Sequence, residues 1–194
     1  MLWNKLKNKN IILASGSPRR QQFLKDLNLE FTIRLKEIEE IYPTHLKEVE
    51  ITIFLAKLKA NSIKDELTKD DILITADTIV WLDNKAIEKP KNRELAYEML
   101  LKLSGRTHLV ISSVCLTSID KQSVVSDTTL VTFKDLSKDE INYYIDNYKP
   151  YDKAGGYGIQ EWIGFIGIEK IEGSYFNVMG FPVHKFYQEI IKFI

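Results

Sequence analysis

The stretch from Ile11 to Arg20, IILASGSPRR, is the part of the chain that decides the fold. It opens with an apolar run that predicts a short buried strand, and Ser-Gly-Ser-Pro then ends that strand with turn-forming residues. Pro18 suits the first position of a following helix, with Ser17 before it as the N-cap. The stretch therefore predicts a strand, a tight turn and a helix in immediate succession.

The end of this stretch predicts a phosphate-binding turn. Arg19 and Arg20 fall in the first turn of the helix, where the helix dipole disfavours cations. A bound anion would remove that conflict, because free backbone N–H groups and two guanidinium groups would converge on it. A solvent-exposed arginine pair after an ordinary turn is the alternative, since basic pairs are common.

Length and charge restrict the class of protein. The 194 residues suit one domain spanning residues 1–194, with enough length for two lobes. The 27 basic and 27 acidic residues cancel, so no overall field draws the protein to nucleic acid or to a membrane. We therefore expect neither as a partner, and a polyanionic ligand would need a local basic cluster.

Cysteine content and hydropathy indicate a cytoplasmic protein. The single cysteine, Cys115, excludes an internal disulfide and fits a reducing compartment. It lies in a strand-like run, which favours an inert core thiol over a nucleophile. No apolar run approaches the roughly 18 residues that a membrane span needs, and the run after the N-terminal lysines is too short for a signal peptide.

Hydrophobic periodicity predicts alternating helices and strands without an internal repeat or linker. The expected helices are at residues 18–27, 51–67, 93–104, 138–150 and 183–194, and the expected strands at 11–14, 31–35, 72–76, 79–82, 108–119, 124–133 and 165–172. The two longest strands flank a short turn and predict an antiparallel hairpin. This pattern favours a mixed α/β fold over a doubly wound parallel sheet, and no Rossmann or P-loop motif occurs.

Asp77 is the first polar residue that does not fit an ordinary core pattern. It follows the apolar residues 72–76 at the expected end of a strand, where function concentrates in α/β folds. A carboxylate so close to the core needs a partner, a metal or a raised pKa. An ordinary turn aspartate ahead of Thr78 is the alternative.

Lys59 is the second such residue. Helical phasing places it between Leu55 and Ile63 on the apolar side of its helix, whereas Lys57 and Lys64 fall on the polar side. A lysine on a core-facing stripe either extends along the surface to reach water or contacts an anion. The phasing leaves both possibilities open.

Other candidates lie in predicted loops. Lys89 precedes Pro90 and is presented from an extended segment, either towards a ligand or towards solvent. Glu39 and Glu40 form an acidic pair of the kind that suits Mg²⁺ or Mn²⁺, although alone such pairs are usually solvated. Gln160 ends a glycine-rich segment that is expected to be a flexible loop. Its amide could contact the edge of a base by donating and accepting together, although glutamines in loops rarely have a function.

These residue types, in a chain with no net charge, indicate a divalent metal with a polyphosphate. They do not decide between hydrolysis and transfer. The three histidines show no metal-ligand spacing and are expected to be structural: His45, His108 and His184.

The motifs resemble the Maf-like nucleoside triphosphate pyrophosphatases over essentially the whole chain. The matching segments, in order, are Leu13–Arg20, Ile38–Glu40, Leu55–Ala60, Ala76–Val80, Glu88–Pro90, Ser104–His108, Tyr151–Gly155, Tyr157–Gln160 and Gly173–Pro182. Two departures are Glu161-Trp162, where many relatives have glycine after the glutamine, and the position of Pro43 relative to the acidic pair.

The resemblance implies a bilobal α/β fold with a central cleft, like that of inosine triphosphate pyrophosphatases, usually in a homodimer. It implies that a nucleoside triphosphate is hydrolysed to the monophosphate and pyrophosphate with Mg²⁺ or Mn²⁺. Asp77 would act as proton acceptor and metal ligand, with Glu39 as a second ligand. The implied substrate-binding residues are Ser15, Arg19, Arg20, Lys59, Thr78, Lys89 and Gln160.

Within the family, Ala-Asp-Thr together with Gly-Ile-Gln is similar to the branch acting on dTTP and UTP, and modified pyrimidine nucleotides are further candidate substrates of such a house-cleaning enzyme. Arg19, Thr78 and Gln160 then occupy specificity positions. The alternatives are a nucleotidyl transferase and a nucleotide-binding regulator of cell division without significant turnover.

Overall fold

The computed structural model describes residues 2–194, with the exception of the Trp3 side chain. Its helices are α1 (Leu2–Leu6), α2 (Pro18–Asp26), α3 (Val49–Asn61), α4 (Arg93–Leu103), α5 (Lys138–Tyr148), α6 (Trp162–Gly167), α7 (Tyr175–Val178) and α8 (Val183–Phe193). Its strands are β1 (Asn10–Leu13), β2 (Thr32–Ile33), β3 (Asp71–Leu82), β4 (Lys85–Ile87), β5 (Thr107–Thr117), β6 (Gln122–Phe133) and β7 (Ile168–Glu172).

The strands form one mixed sheet in the order β2-β1-β3-β5-β6-β7, with β4 paired to β3. β1 runs parallel to β2 and β3, whereas β4 is antiparallel to β3 and β7 is antiparallel to β6. β5 and β6 are neighbours joined by residues 118–121 alone, a connection that only an antiparallel pair allows. The predicted mixed α/β class and the long hairpin are confirmed.

The chain divides into two compact units. The first contains the residues up to Asp77, Ser112–Asp127 and Gly180–Ile194, and the second contains Thr78–Ile111 and Thr128–Met179. The division falls within β3, between Asp77 and Thr78, and also within β5 and β6. Neighbouring residues of one strand therefore belong to different units.

Each unit has its own hydrophobic core. In the first, α3 packs on β1 and β3 through buried residues that include Ile12, Ala56 and Leu73. Cys115 belongs to the same cluster and is a free thiol whose pKa is raised by burial, as expected of a core cysteine. In the second unit, α4 and α5 pack on the sheet around Phe133 and Tyr144.

Local signals in the sequence account for several element ends. The Asn92 side chain accepts a hydrogen bond from the backbone N–H of Leu95 and caps α4. Ser137 and Glu140 form the predicted capping box at the start of α5, with each side chain accepting from the other residue's N–H. α8 closes the chain where amphipathic periodicity predicts it.

Three predicted elements are wrong in detail. β3 is one strand through residues 71–82, where two strands were expected. α3 ends at Asn61 instead of continuing to residue 67, because the chain tightens into a 3-10 turn at Lys64–Glu66. Residues 165–167 belong to helix α6 instead of a strand, and only β7 is extended.

The reason for the last difference is a close backbone approach. A Cβ at Gly164 would lie 1.9 Å from the carbonyl oxygen of Ile159, so only glycine allows α6 to pack against that segment. The β-branched residues around it have strand propensity, which this packing overrides. No helix in the described part of the chain is long and apolar enough to cross a membrane.

Candidate functional site

The first unit contains the predicted strand, turn and helix. β1 ends at Leu13, Pro18 occupies the first turn of α2, and Ser17 is the N-cap residue. The Ser17 side chain makes no capping hydrogen bond, so only its position was predicted correctly. The hydroxyl of buried Ser15 instead accepts from the Ser17 backbone N–H at 3.3 Å and keeps the turn closed.

Arg20 points from α2 into the unit. Its Nε donates to the carbonyl oxygen of Gly180 at 3.0 Å, and its Nη1 donates to that of Ala76 at 2.9 Å. Burial lowers the pKa of Arg20, while the nearby charge of Asp77 opposes that shift. Arg20 thus ties the N-terminal turn to the strand segment beside Asp77.

Asp77 lies in the middle of β3, not at the end of a strand as the sequence predicted. The parallel pairing of β3 with β1 nevertheless ends at Ile74, so Asp77 lies beyond the last β1 partner. The residue is 6% exposed, and burial raises its pKa even though Lys59 and Arg20 act to lower it. Asp77 is therefore a desolvated carboxylate with two cationic side chains nearby.

Lys59 provides the direct contact to this carboxylate. Its Nζ lies 2.7 Å from Oδ1 of Asp77 and 2.9 Å from Oε2 of Glu40. The inward orientation predicted from helical phasing is confirmed, since the Lys59 side chain is only 17% exposed while Lys57 is exposed. Of the two possibilities for Lys59, reaching water or contacting an anion, the structure shows contact with an anion, and the anion is a carboxylate.

The acidic pair is exposed in the loop before α3, and it is Glu40 whose side chain reaches Lys59. The sequence selected Glu39 as the metal ligand, and that assignment stays a prediction. Asp77 and Glu40 present oxygens to one cation, the ammonium of Lys59, and hard oxygen donors of this kind suit Mg²⁺ or Mn²⁺. In the described part of the chain, no three His, Cys, Asp or Glu side chains form a ready metal cluster.

The second unit carries the remaining predicted substrate residues. Thr78 follows Asp77 on β3 and is half-buried, with its side chain on the opposite face of the strand. Lys89 is exposed between β4 and the buried Pro90, as a loop presentation predicts. The predicted substrate-binding roles of Thr78, Lys89 and Gln160 stay predictions.

The glycine-rich segment before Gln160 is compact instead of flexible. Residues 155–159 are buried, and Ala154–Gly156 forms a 3-10 turn. Gly155 has a φ of +72°, and a Cβ there would lie 2.7 Å from Cγ2 of Val80, so both conformation and space require glycine. Gln160 is thus presented from a packed support.

The amide of Gln160 has an unused acceptor. Within the described residues its Oε1 is buried and accepts no hydrogen bond. Buried polar atoms are usually paired, and an unpaired one is a candidate for pairing with a ligand. The role of Gln160 in contacting a base stays a prediction, and the sequence could not show that its Oε1 is buried.

Of the three histidines, His108 has the burial that a structural role predicts. His108 is 2% exposed, and its Nε2 lies 2.7 Å from the hydroxyl oxygen of Tyr157. Burial lowers the pKa of His108 to about 4, so the ring is neutral at pH 7. His45 and His184 are exposed.

Sequence reasoning missed the contacts around Gln160 made by Tyr144, Lys153 and Glu161. Lys153 and Glu161 form an ion pair of 3.1 Å, and the Tyr144 hydroxyl donates to Glu161. The available signal was Glu161 itself, which stands where many relatives of the resembled family have glycine. These contacts join residues from separate elements, so no local pattern predicts them.

Comparison with known proteins places the chain in a family by its sequence. The family described as Maf-like protein matches residues 10–193. The chain is 61% identical over 188 residues to a dTTP/UTP pyrophosphatase of Flavobacterium johnsoniae, covering 97% of each chain. It is 57% identical over 187 residues to a dTTP/UTP pyrophosphatase of Flavobacterium psychrophilum, covering 96% of each.

A solved structure has the same type of fold. The Staphylococcus aureus Ham1 protein superposes with a TM-score of 0.50 over 66% of this chain and 73% of its own, at 19% identity. At this identity the likeness concerns the fold alone, and it supports the mixed α/β architecture described above.

Proposed function

Because the chain belongs to the Maf-like protein family, we propose that it hydrolyses dTTP and UTP to the monophosphate and pyrophosphate. The structural observation that carries this proposal is the buried Asp77 carboxylate, which lies 2.7 Å from Lys59 and next to Arg20. The relatives named dTTP/UTP pyrophosphatases align with nearly the whole chain, which supports the same substrate class here.

A divalent cation fits the donor set of the first unit. Asp77, with Glu39 or Glu40, would hold Mg²⁺ or Mn²⁺, because two carboxylates already converge on the Lys59 ammonium. When bound, such an ion lowers the pKa of water and neutralises phosphate charge. We expect the phosphates of the substrate to supply further ligands, as is common for Mg²⁺ sites.

The reaction requires attack of water on the α-phosphorus and departure of pyrophosphate. Asp77 would orient the attacking water and accept its proton, a role that suits a carboxylate whose pKa is raised by burial. The negative charge that develops on pyrophosphate would be met by Arg19, Lys59 and Lys89, with Ser15 donating from the turn.

Arg20 is proposed to act from a fixed position. Its guanidinium group already donates to the carbonyl groups of Gly180 and Ala76, which hold it beside Asp77. From there its charge would contribute to phosphate binding without a costly change of side-chain conformation.

Base selection is assigned to Gln160, together with Arg19 and Thr78. Uracil and thymine present an N3–H donor beside the O4 acceptor, and an amide matches that pair with its oxygen and its N–H. The unpaired Oε1 of Gln160 would accept from N3–H. Cytosine has no hydrogen on N3, so it would leave this oxygen unpaired, at a cost that supports discrimination.

The experiment that tests the proposal is a panel of nucleoside triphosphates, including modified pyrimidines, assayed for pyrophosphate release with Mg²⁺ and with Mn²⁺. We expect dTTP and UTP to give the highest kcat/KM and the monophosphate to be the only nucleotide product. A nucleotide joined to an acceptor would instead favour a transferase, and tight binding without turnover would favour a nucleotide-binding regulator.

The remaining parts of the proposal concern the state of the protein. We propose that residues 1–194 act as one functional domain, that the protein is a homodimer in the cytoplasm, and that nucleic acid is not a partner. The family match over residues 10–193 supports the single domain, and the balanced charge supports the last point. Light scattering of the purified protein tests the dimer.

A further inference from the structure

A buried polar cluster in the second unit contacts the segment that carries Gln160. We call it the Tyr144 cluster, and it consists of Tyr144 from α5 with Lys153 and Glu161. The Tyr144 hydroxyl donates to one carboxylate oxygen of Glu161, and Nζ of Lys153 lies 3.1 Å from the other. Tyr144 is 0% and Lys153 7% exposed, so both oxygens have partners shielded from water.

The cluster flanks Gln160, because Tyr144 is bonded to the backbone of Gly158 before it and Glu161 follows it directly. The backbone N–H of Gly158 donates to the Tyr144 hydroxyl oxygen at 3.0 Å. The backbone N–H of Glu161 donates to the carbonyl oxygen of Gly158 at 3.0 Å. Gln160 therefore lies in a short turn whose two ends are held by one carboxylate and one hydroxyl.

The amide of Gln160 lies close to the same point. A Cβ placed on Gly158 would be 2.9 Å from Nε2 of Gln160 and 2.9 Å from Oε2 of Glu161. The ends of both side chains thus lie beside Gly158, whose backbone N–H donates to the Tyr144 hydroxyl. A shift of Gly158 would move the amide and alter the direction in which its unpaired oxygen accepts.

A stability role alone does not explain such a cluster well. Burying an ion pair carries a desolvation cost that its Coulomb attraction often only balances, and apolar residues of similar volume can be as stable. What a fully bonded cluster does provide is a fixed geometry for the groups attached to it. Glu161 also follows Gln160 directly in sequence, so the bonds that hold its carboxylate restrict the chain next to Gln160.

We infer that the Tyr144 cluster positions the amide of Gln160 and thereby sets the preference for 4-oxo pyrimidines over cytosine nucleotides. This inference rests on the proposed function and deepens it. Tyr144, Lys153 and Glu161 are positioning residues, because they act through Gln160 and not on the reacting atoms.

The test compares UTP with CTP, which are similar in size and differ at the N3 and C4 edge. Tyr144→Phe keeps the ring in the core but removes the partner of Gly158 and Glu161. We expect the UTP to CTP ratio of kcat/KM to fall about three- to tenfold, the range of one hydrogen bond. The change should come from a higher KM for UTP, with kcat within about twofold, because the phosphate-binding residues are untouched.

The matched control is Tyr148→Phe, the same chemical change one turn further along α5. Tyr148 is 37% exposed and stacks on Tyr144 with ring centres 5.1 Å apart. This variant should keep the wild-type ratio. A fall of equal size in both variants would overturn the inference, since the loss would then follow any hydroxyl removal on this helix.

Glu161→Gln provides a second test if Tyr144→Phe fails to fold. It keeps an acceptor for Tyr144 but removes the charge facing Lys153, and we expect a smaller fall of the same ratio. An unchanged ratio in a folded variant, with kcat/KM lowered equally for both nucleotides, overturns the inference and leaves the proposed function intact. Absence of pyrophosphate release from UTP by the wild-type protein overturns the proposed function, and the inference with it.

Discussion

Among the described residues, each unit contains a lysine held between two carboxylates. Lys59 of the first unit lies 2.7 Å from the buried Asp77, and Lys153 of the second lies 3.1 Å from the largely buried Glu161. Each lysine also contacts a second carboxylate that is more exposed, Glu40 in the first unit and Asp152 in the second. The two arrangements are alike as ion pairs, and they differ in what else the buried carboxylate contacts.

Glu161 accepts a hydrogen bond from Tyr144 in addition to the ion pair, and that hydroxyl is bonded in turn to the backbone. Asp77 has Lys59 and the charge of Arg20 nearby, and desolvation still dominates, so its pKa is raised. The comparison teaches that an ion pair alone does not identify a reactive carboxylate. A carboxylate bonded to a tyrosine that is itself bonded to the backbone holds a chain segment in position, whereas a desolvated carboxylate among cations is a candidate for chemistry.

The largest expected effect comes from replacing the buried carboxylate of the first unit by an amide and making the matched change in the second unit. Asp77→Asn should lower kcat for dTTP by about 10²–10⁴-fold, because the proposed proton acceptor is lost, while the circular dichroism spectrum stays unchanged. Steady-state pyrophosphate release is the measurement.

Glu161→Gln is the matched carboxylate-to-amide change in the other unit, and it should lower kcat less than tenfold. If Asp77→Asn kept activity within about threefold of the wild type, Asp77 would not be the proton acceptor. Similar large losses in both variants would remove the distinction between the two clusters.

The next effect separates two lysines of α3. Lys59→Ala should lower kcat/KM by about 10- to 100-fold, since hydrogen bonds to charged groups contribute about 1.5–3 kcal/mol. Lys57→Ala should change it less than twofold, because Lys57 is exposed and such charges contribute little. Equal effects in the two variants would contradict the inward role of Lys59.

A stability effect tests burial in the second unit. Burial lowers the pKa of His108 from its ordinary value of about 6.5 to about 4, so below pH 6.5 the unfolded chain binds a proton that the folded chain does not. The contribution of His108 to the free energy of unfolding is complete above pH 6.5 and is lost as the pH falls towards 4. At pH 5 the free energy of unfolding is lower by about 2 kcal/mol for this reason. Urea unfolding at pH 7.5 and pH 5 measures it.

His108→Gln is the matched variant, since glutamine does not titrate. It should be less stable than the wild type at pH 7.5, because the packing on Phe133 is lost. It should nevertheless lose about 2 kcal/mol less between the two pH values. The same pH response in both proteins would show that other groups cause it.

The smallest effect concerns the base. Gln160→Ala should lower kcat/KM for dTTP and UTP about tenfold more than for purine triphosphates, which corresponds to about 1.4 kcal/mol. The phosphate contacts remain, so the gap between nucleotides should narrow. A common loss factor for every nucleotide would make Gln160 a structural or phosphate-side residue.

The sequence by itself was sufficient for features that depend on near neighbours. The turn between β1 and α2 follows from Ser-Gly-Ser-Pro, and the inward face of Lys59 follows from the helical period. The capping box of α5 was also predictable, because its two partners are three residues apart. The family motifs also predict a role for Gln160 from a short pattern of neighbouring residues, and that role stays a prediction.

The tertiary structure alone decided which distant groups meet. Glu40 instead of Glu39 reaches Lys59, and Arg20 donates to the carbonyl of Gly180, 160 residues away. Asp77 proved to lie inside a long strand, since pairing with neighbouring strands and not local propensity sets where a strand ends. Tyr144 meets Glu161 only because α5 packs beside α6. Burial and pairing between remote residues depend on the assembled core, and that information has no short-range pattern in the chain.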